Sequence, residues 1–225
     1  MRNYKRITIL CGHYGSGKTN IAVNMAFDLK KQTDKVAIAD LDIVNPYFRT
    51  KDSQKELEAD GIRLICSDYA NTNLDIPALP QDMYAVIDDK SLSCILDIGG
   101  DDRGALVLGR LAPAIRTENN YEMLFVINRS RPLTRDAAST LEVLHEIEQA
   151  GGIPFTGIVN NTNLGAETTA EDILSSLSYA EKVAELSELP IVATTVREDL
   201  CPALVGRVPS VFPLRLHRYE ILSNS

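Results

Sequence analysis

Residues Gly12 to Thr19 read Gly-His-Tyr-Gly-Ser-Gly-Lys-Thr, a full match to the pattern G-x-x-x-x-G-K-[ST]. The chemistry this spacing suits is anion binding. Glycines let the backbone curl until several N–H groups point inward, and a helix beginning near Lys18 adds the positive end of its dipole. Lys18 would reach the β- and γ-phosphates of a nucleoside triphosphate as a point charge, and Thr19 would place its hydroxyl on Mg2+. His13, Tyr14, Gly15, Ser16, Gly17 and Asn20 complete this candidate nucleotide-contacting stretch.

Carboxylates recur at two further places. Asp40-Leu41-Asp42 follows one apolar run, and Asp97-Ile98-Gly99-Gly100-Asp101 ends another. Asp97 to Gly100 is a D-x-x-G pattern. Its aspartate would hold a water on Mg2+, and the Gly100 N–H would sense the γ-phosphate, so the loop could move on hydrolysis.

The elements that must position these residues are legible as alternating patterns. Strands are expected at Ile7–Cys11, Lys35–Asp40, Ile62–Cys66, Ser93–Ile98, Met123–Asn128, Ile153–Asn160 and Ile191–Ala193. Between them run helical patterns: one carrying Ile21, Ala22, Met25, Ala26 and Leu29, and one opened by Pro46 and stopped by Gly61. Others run up to about Ile115, from Thr134 (as N-cap) to Ala150, and from Ala170 to Leu189. Residues 67–80, with Pro77 and Pro80, read as an irregular exposed excursion. Strands without a polar face, alternating with helices, call for a parallel sheet covered on both sides. In such a sheet ligands sit beyond the carboxyl ends of the strands, where the aspartates fall.

The 225 residues read as a single nucleotide-binding domain spanning 1–225. The formal net charge of −8 argues against nucleic-acid or anionic-membrane binding. Cys11, Cys66, Cys94 and Cys201 are scattered without a C-x-x-C pair, as expected of reduced buried thiols. With no signal-peptide core and no apolar run of spanning length, a cytoplasmic protein is expected.

The P-loop, the D-x-D after strand two and the D-x-x-G-D after strand four together resemble the MinD/ParA-type ATPases. That superfamily includes the nitrogenase iron protein and the nickel-insertion ATPases serving carbon monoxide dehydrogenase. The resemblance runs from the first strand to about residue 200. It implies an α/β P-loop NTPase three-layer sandwich, with a seven- or eight-stranded, mostly parallel sheet and helices on both faces. It also implies ATP with Mg2+ and an ATP-dependent homodimer that engages or releases a protein client. By that likeness Thr19 ligates the metal, Asp97 is its outer-sphere partner and Asp40 supports its waters. Asp42, with Asp101 as rival, positions the attacking water. Asn160 reads the adenine edge, and the loop carrying Thr194, Val196 and Arg197 lines the base pocket.

Three departures stand out. The superfamily's signature lysine is here His13, and Tyr14 replaces a glycine; Arg103, Arg129 and Arg131 are the arginines that could compensate. The cluster cysteine of the nitrogenase iron protein is here Gly104, so no iron–sulfur cluster is expected. The tail carries Phe212, Leu214, Leu216, Tyr219, Ile221 and Leu222 beside Arg215 and Arg218, but Pro213 interrupts it, so docking on the core is favoured over membrane attachment. The competing reading is an ATP-dependent enzyme activating a small carboxylate, of the dethiobiotin-synthetase or cobyrinic-acid-amidase type, which also lacks the signature lysine.

Overall fold

Every residue of Ile7–Cys11 is buried, which a strand tolerates only when covered on both faces. This strand, β1, is the centre of the sheet. The structure is a computed structural model and describes residues 2–41, 53–66 and 81–216. After β1 come α1 (Lys18–Lys30), β2 (Val36–Leu41), α2 (Gln54–Ala59), β3 (Arg63–Cys66), α3 (Gln81–Asp88), β4 (Ser93–Ile98) and α4 (Asp102–Glu118). The second half adds β5 (Tyr121–Ile127), α5 (Ala137–Gly151), β6 (Gly157–Asn160), α6 (Ala170–Ser187), β7 (Ile191–Arg197), α7 (Cys201–Leu204) and β8 (Val211–Leu214).

The eight strands form one sheet in the order β3-β2-β4-β1-β5-β6-β7-β8. Every pairing is parallel. Alternation divides the strand residues between two cores. Ile9, Leu96 and Phe125 pack under α3 to α6, against Val86, Leu111, Leu144 and Val183. Leu10, Ile38, Ile95 and Val126 pack under α1 and α2, against Ile21, Met25 and Leu57. The chain leaves β1 toward β2 on one side and crosses from β4 to β5 on the other. The carboxyl end of β1 is therefore the point where the winding reverses and a crevice opens.

Four boundaries differ from expectation, each for a physical reason. Residues 194–197, expected as a loop, continue β7, because β8 pairs alongside them from Thr194↔Val211 to Arg197↔Leu214. β8 itself contains Pro213 and was not expected, yet an edge strand tolerates a proline. Its Phe212 and Leu214 are buried in the α1-side core, so the described part of the tail docks on the protein. α5 is capped by Asp136, whose side chain accepts from Ser139 N, and not by Thr134, which lies in a 3-10 turn. β6 begins at Gly157, since Pro154 has no N–H to offer a ladder and Phe155 N donates to Glu148 Oε1 at 2.7 Å instead. Asp42, the Pro46 helix start and the excursion 67–80 lie outside the described residues, as do Arg218, Tyr219, Ile221 and Leu222. Among the described residues no helix is long and apolar enough to cross a membrane.

Asn24 on α1 fixes the end of β8. Its Nδ2 donates to Arg215 O at 3.0 Å, and its Oδ1 accepts from Arg215 N at 2.9 Å.

Candidate functional site

α1 begins with Gly17 at φ 90°, a left-handed conformation, and no side chain caps its first amides. A Cβ at Gly17 would meet Asn161 Nδ2 at 2.3 Å, so only glycine closes the loop there. The helix thus turns its first N–H groups toward the space that residues 12–17 enclose. Ser16 is fully buried, and its hydroxyl has no hydrogen-bond partner among the described residues. A buried hydroxyl without a partner beside uncapped amides is the arrangement a bound phosphate completes.

Lys18 and Thr19 lie on the first turn of α1 and are almost fully buried. Lys18 Nζ lies 3.5 Å from His13 O. Thr19 Oγ1 donates to Asp97 Oδ2 at 2.5 Å. Asp97 itself is completely buried near the end of β4. Asp40 is its register partner on β2, so both carboxylates leave the sheet side by side. Gly100 presses on Gly12, where a Cβ would come within 2.1 Å of the Gly12 carbonyl oxygen. The loop after β4 is therefore in direct contact with the P-loop. Cys11, at the end of β1, points its Sγ toward Gly99 O at 3.7 Å.

Asp101 caps α4, accepting from Gly104 N at 3.0 Å. His13 is half-buried with Nδ1 3.1 Å from Tyr14 O, and the Tyr14 ring is exposed. Asn20 sits on α1 and accepts from Asn24 Nδ2 through its backbone.

The residues expected around a base are held inward. Asn160 is buried, donates to Ser176 Oγ at 2.9 Å, and accepts from Thr162 N and Oγ1. Its amide braces β6 against α6. Thr194 is buried on β7, and Val196 packs with Ile173, Leu204 and Val208. Arg197 grips Asp199 through Nε and Nη2 and donates to Ala166 O. That pairing lowers the Asp199 pKa from its ordinary value and raises that of Arg197.

One neighbour of the P-loop was not foreseen, and a second is one of the three arginines that could compensate for the lysine. Asn161 Nδ2 donates to Ser16 O at 2.5 Å, while Asn161 Oδ1 accepts from Thr195 Oγ1. Asn163 in turn donates to Asn161 O, and Asn128 Nδ2 to Asn163 O. This amide chain ties the ends of β5, β6 and β7 to the P-loop. The run Asn160-Asn161-Thr162-Asn163 gathers three of these amides in sequence but does not indicate their partner in the P-loop. The second neighbour is Arg131, whose Nε donates to Gly15 O at 2.8 Å.

Residues 7–188 match the family described as CbiA, the CobQ/CobB/MinD/ParA nucleotide binding domain. The chain belongs to this family. This CobQ/CobB/MinD/ParA-type domain shares its P-loop architecture with FtsY from Mycoplasma mycoides, at 18% identity and a TM-score of 0.51 over 85% of this chain and 60% of that one. It is likewise similar to Signal Recognition Particle 54 kDa protein from Aeropyrum pernix K1 in complex with GDP. There the identity is 17% and the TM-score 0.51, over 84% of this chain and 41% of that one. The domain thus spans less than two thirds of either neighbour, and at these identities the likeness is one of fold. Among curated protein sequences none matches it. The domain is a nucleotide-binding P-loop unit of the MinD/ParA type.

Proposed function

We propose that this chain is an ATP- and Mg2+-dependent switch that hydrolyses its nucleotide slowly, pairing with a second copy when ATP is bound and releasing a protein client afterwards. The observation that carries the reading is the Thr19–Asp97 bond of 2.5 Å, set beside a helix N-terminus with no side-chain cap. A hydroxyl and a buried carboxylate so placed fit a magnesium site, since Mg2+ takes one or two protein oxygens and fills its shell with waters and phosphates. When bound, the ion neutralises charge on the phosphate oxygens. Lys18 would hold the β- and γ-phosphates, Thr19 would ligate the metal, and Asp97 and Asp40 would orient its waters. Asp42 would position the attacking water, with Asp101 as rival. The bond from Gly104 N to Asp101 favours Asp42, because a carboxylate engaged in capping a helix is less free to turn toward a water.

Adenine is the proposed base. The Asn160 amide would give one donor and one acceptor, as adenine requires, on exchanging its present partners Ser176 and Thr162. The test is equilibrium binding of fluorescent ATP and GTP analogues with Mg2+, with light scattering for the assembly state. We expect ATP to bind at least roughly tenfold tighter, about 1.4 kcal/mol, and to shift monomer toward dimer. Binding of neither nucleotide, or a preference for GTP, overturns this.

His13 in place of lysine favours a second reading, the carboxylate-activating enzyme. ADP release stimulated by a small carboxylate or carbamate, with no change of assembly state, would establish it instead.

A further inference from the structure

Position 13 holds a half-buried histidine whose ring turns to the neighbouring Tyr14 carbonyl. If the domain hydrolyses a nucleoside triphosphate, charge develops on the transferring phosphoryl group, and Lys18 is one cation against it. Of the three arginines that could supply another, Arg129 donates to Ser175 O on α6, and the Arg103 side chain lies outside the described residues. Arg131 differs from both. Its guanidinium lies against Gly15, with Nε 3.3 Å and Cζ 3.4 Å from where a Cβ of that glycine would be.

The loop presenting Arg131 is already ordered. Arg131 N donates to Asn128 O at 3.0 Å, and Thr134 N donates to Arg131 O at 3.1 Å. Thr134 Oγ1 also donates to Asn128 O, and Pro132 fixes the backbone between them. Nε is used on Gly15 O, while Nη1 and Nη2 make no hydrogen bond to any described residue. A planar, always-charged fork with its outer donors open, held against a phosphate-wrapping loop, is suited to bidentate contact with phosphate oxygens.

The geometry points to Arg131 as a catalytic residue supplied from within the same chain, its Nη donors bonding the triphosphate as charge builds on the γ-phosphoryl oxygens. This rests on the hydrolysis proposed above. In the step it assists, a water oxygen bonds to the γ-phosphorus and the bond from that phosphorus to the β,γ-bridging oxygen breaks. The electron pair stays on the nucleoside diphosphate, and the water's protons pass to the inorganic phosphate and solvent. Arg131 is exposed, so its removal should leave the fold intact.

The experiment compares wild type, Arg131→Ala and Arg131→Lys in steady-state turnover, in binding of ADP, and in binding of ADP with aluminium fluoride as a transition-state mimic. For Arg131→Ala we expect kcat to fall roughly 100-fold, with aluminium-fluoride-dependent tightening lost by a similar factor. ADP affinity should change by less than about threefold. Arg131→Lys, which keeps charge without the fork, should lie between, and guanidinium ion in the buffer should partly restore Arg131→Ala. A strut that merely shapes the P-loop would weaken ADP and the mimic together, and that result overturns the assignment. So does unchanged turnover. Should Arg131→Ala fail to fold, Arg131→Lys decides by the same comparison. A wild type that turns over no nucleotide sinks the proposed function itself, before any variant is read.

Discussion

Thr19 and Asp97 share one short hydrogen bond in a fully buried setting, so each limits what the other can do. Asp97→Asn keeps the shape but removes the charge that would hold metal-bound water. Nucleotide binding titrated with Mg2+ should then need at least roughly tenfold more metal, as for other partners lying behind a metal's ligands. Asn161 makes a separate claim. Asn161→Ala leaves the Ser16 carbonyl and the Thr195 hydroxyl without their amide partner, at a cost of about 1–3 kcal/mol. Urea denaturation should read that loss, and ATP affinity should drop with it because Ser16 belongs to the loop. The role of Asn161 was not legible beforehand, since Ser16 and Asn161 are 145 positions apart and no local pattern links them. Arg131 is one of three candidate arginines in the sequence, but at a separation of 116 from Gly15 no spacing singles it out.

At the scale of elements, α3 shows what a single side chain can anchor. Arg6, just before β1, donates to Val86 O and Ile87 O at the end of that helix and to Asp89 O and Leu92 O in the turn that follows. Its Nε and Nη2 pair with Glu118, which Lys90 also reaches at 2.7 Å. The Arg6 hydrogen bonds, and then Lys90, hold the Glu118 carboxyl down at about 2. Because the folded pKa lies below that of the unfolded chain, this contribution is fully present above the usual glutamate range. It fades as pH falls from about 4.5 through 2. Glu118→Gln should flatten that part of the stability–pH curve measured by denaturant midpoints. Arg6→Met should cost about 1–3 kcal/mol at neutral pH, because the Val86 and Ile87 carbonyls lose their donor while Glu118 keeps only Lys90. Elements were legible where apolar spacing was strong, as in α1 and β4. They were missed where tertiary contact decided: α3, and β8 with its proline, exist through neighbours rather than through propensity.

For the molecule as a whole, the eight parallel strands gather every carboxyl end on one rim, and the net charge is −8. Two copies approaching one another repel through low-salt water, and the Debye length shrinks from about 30 Å at 0.01 M to about 8 Å at physiological ionic strength. ATP-dependent pairing should therefore strengthen as salt is raised over that range, which sedimentation velocity would read. Pairing that weakens steadily with salt would mean opposite charges meet at the interface. The position of Cys11, sealed between the end of β1 and the Gly99 carbonyl, also makes the chain its own stopwatch. A small alkylating reagent can reach that sulfur only while the two neighbouring turns part, so the speed of its labelling, localised by mass spectrometry, times the breathing of the rim. Saturating nucleotide should slow that clock.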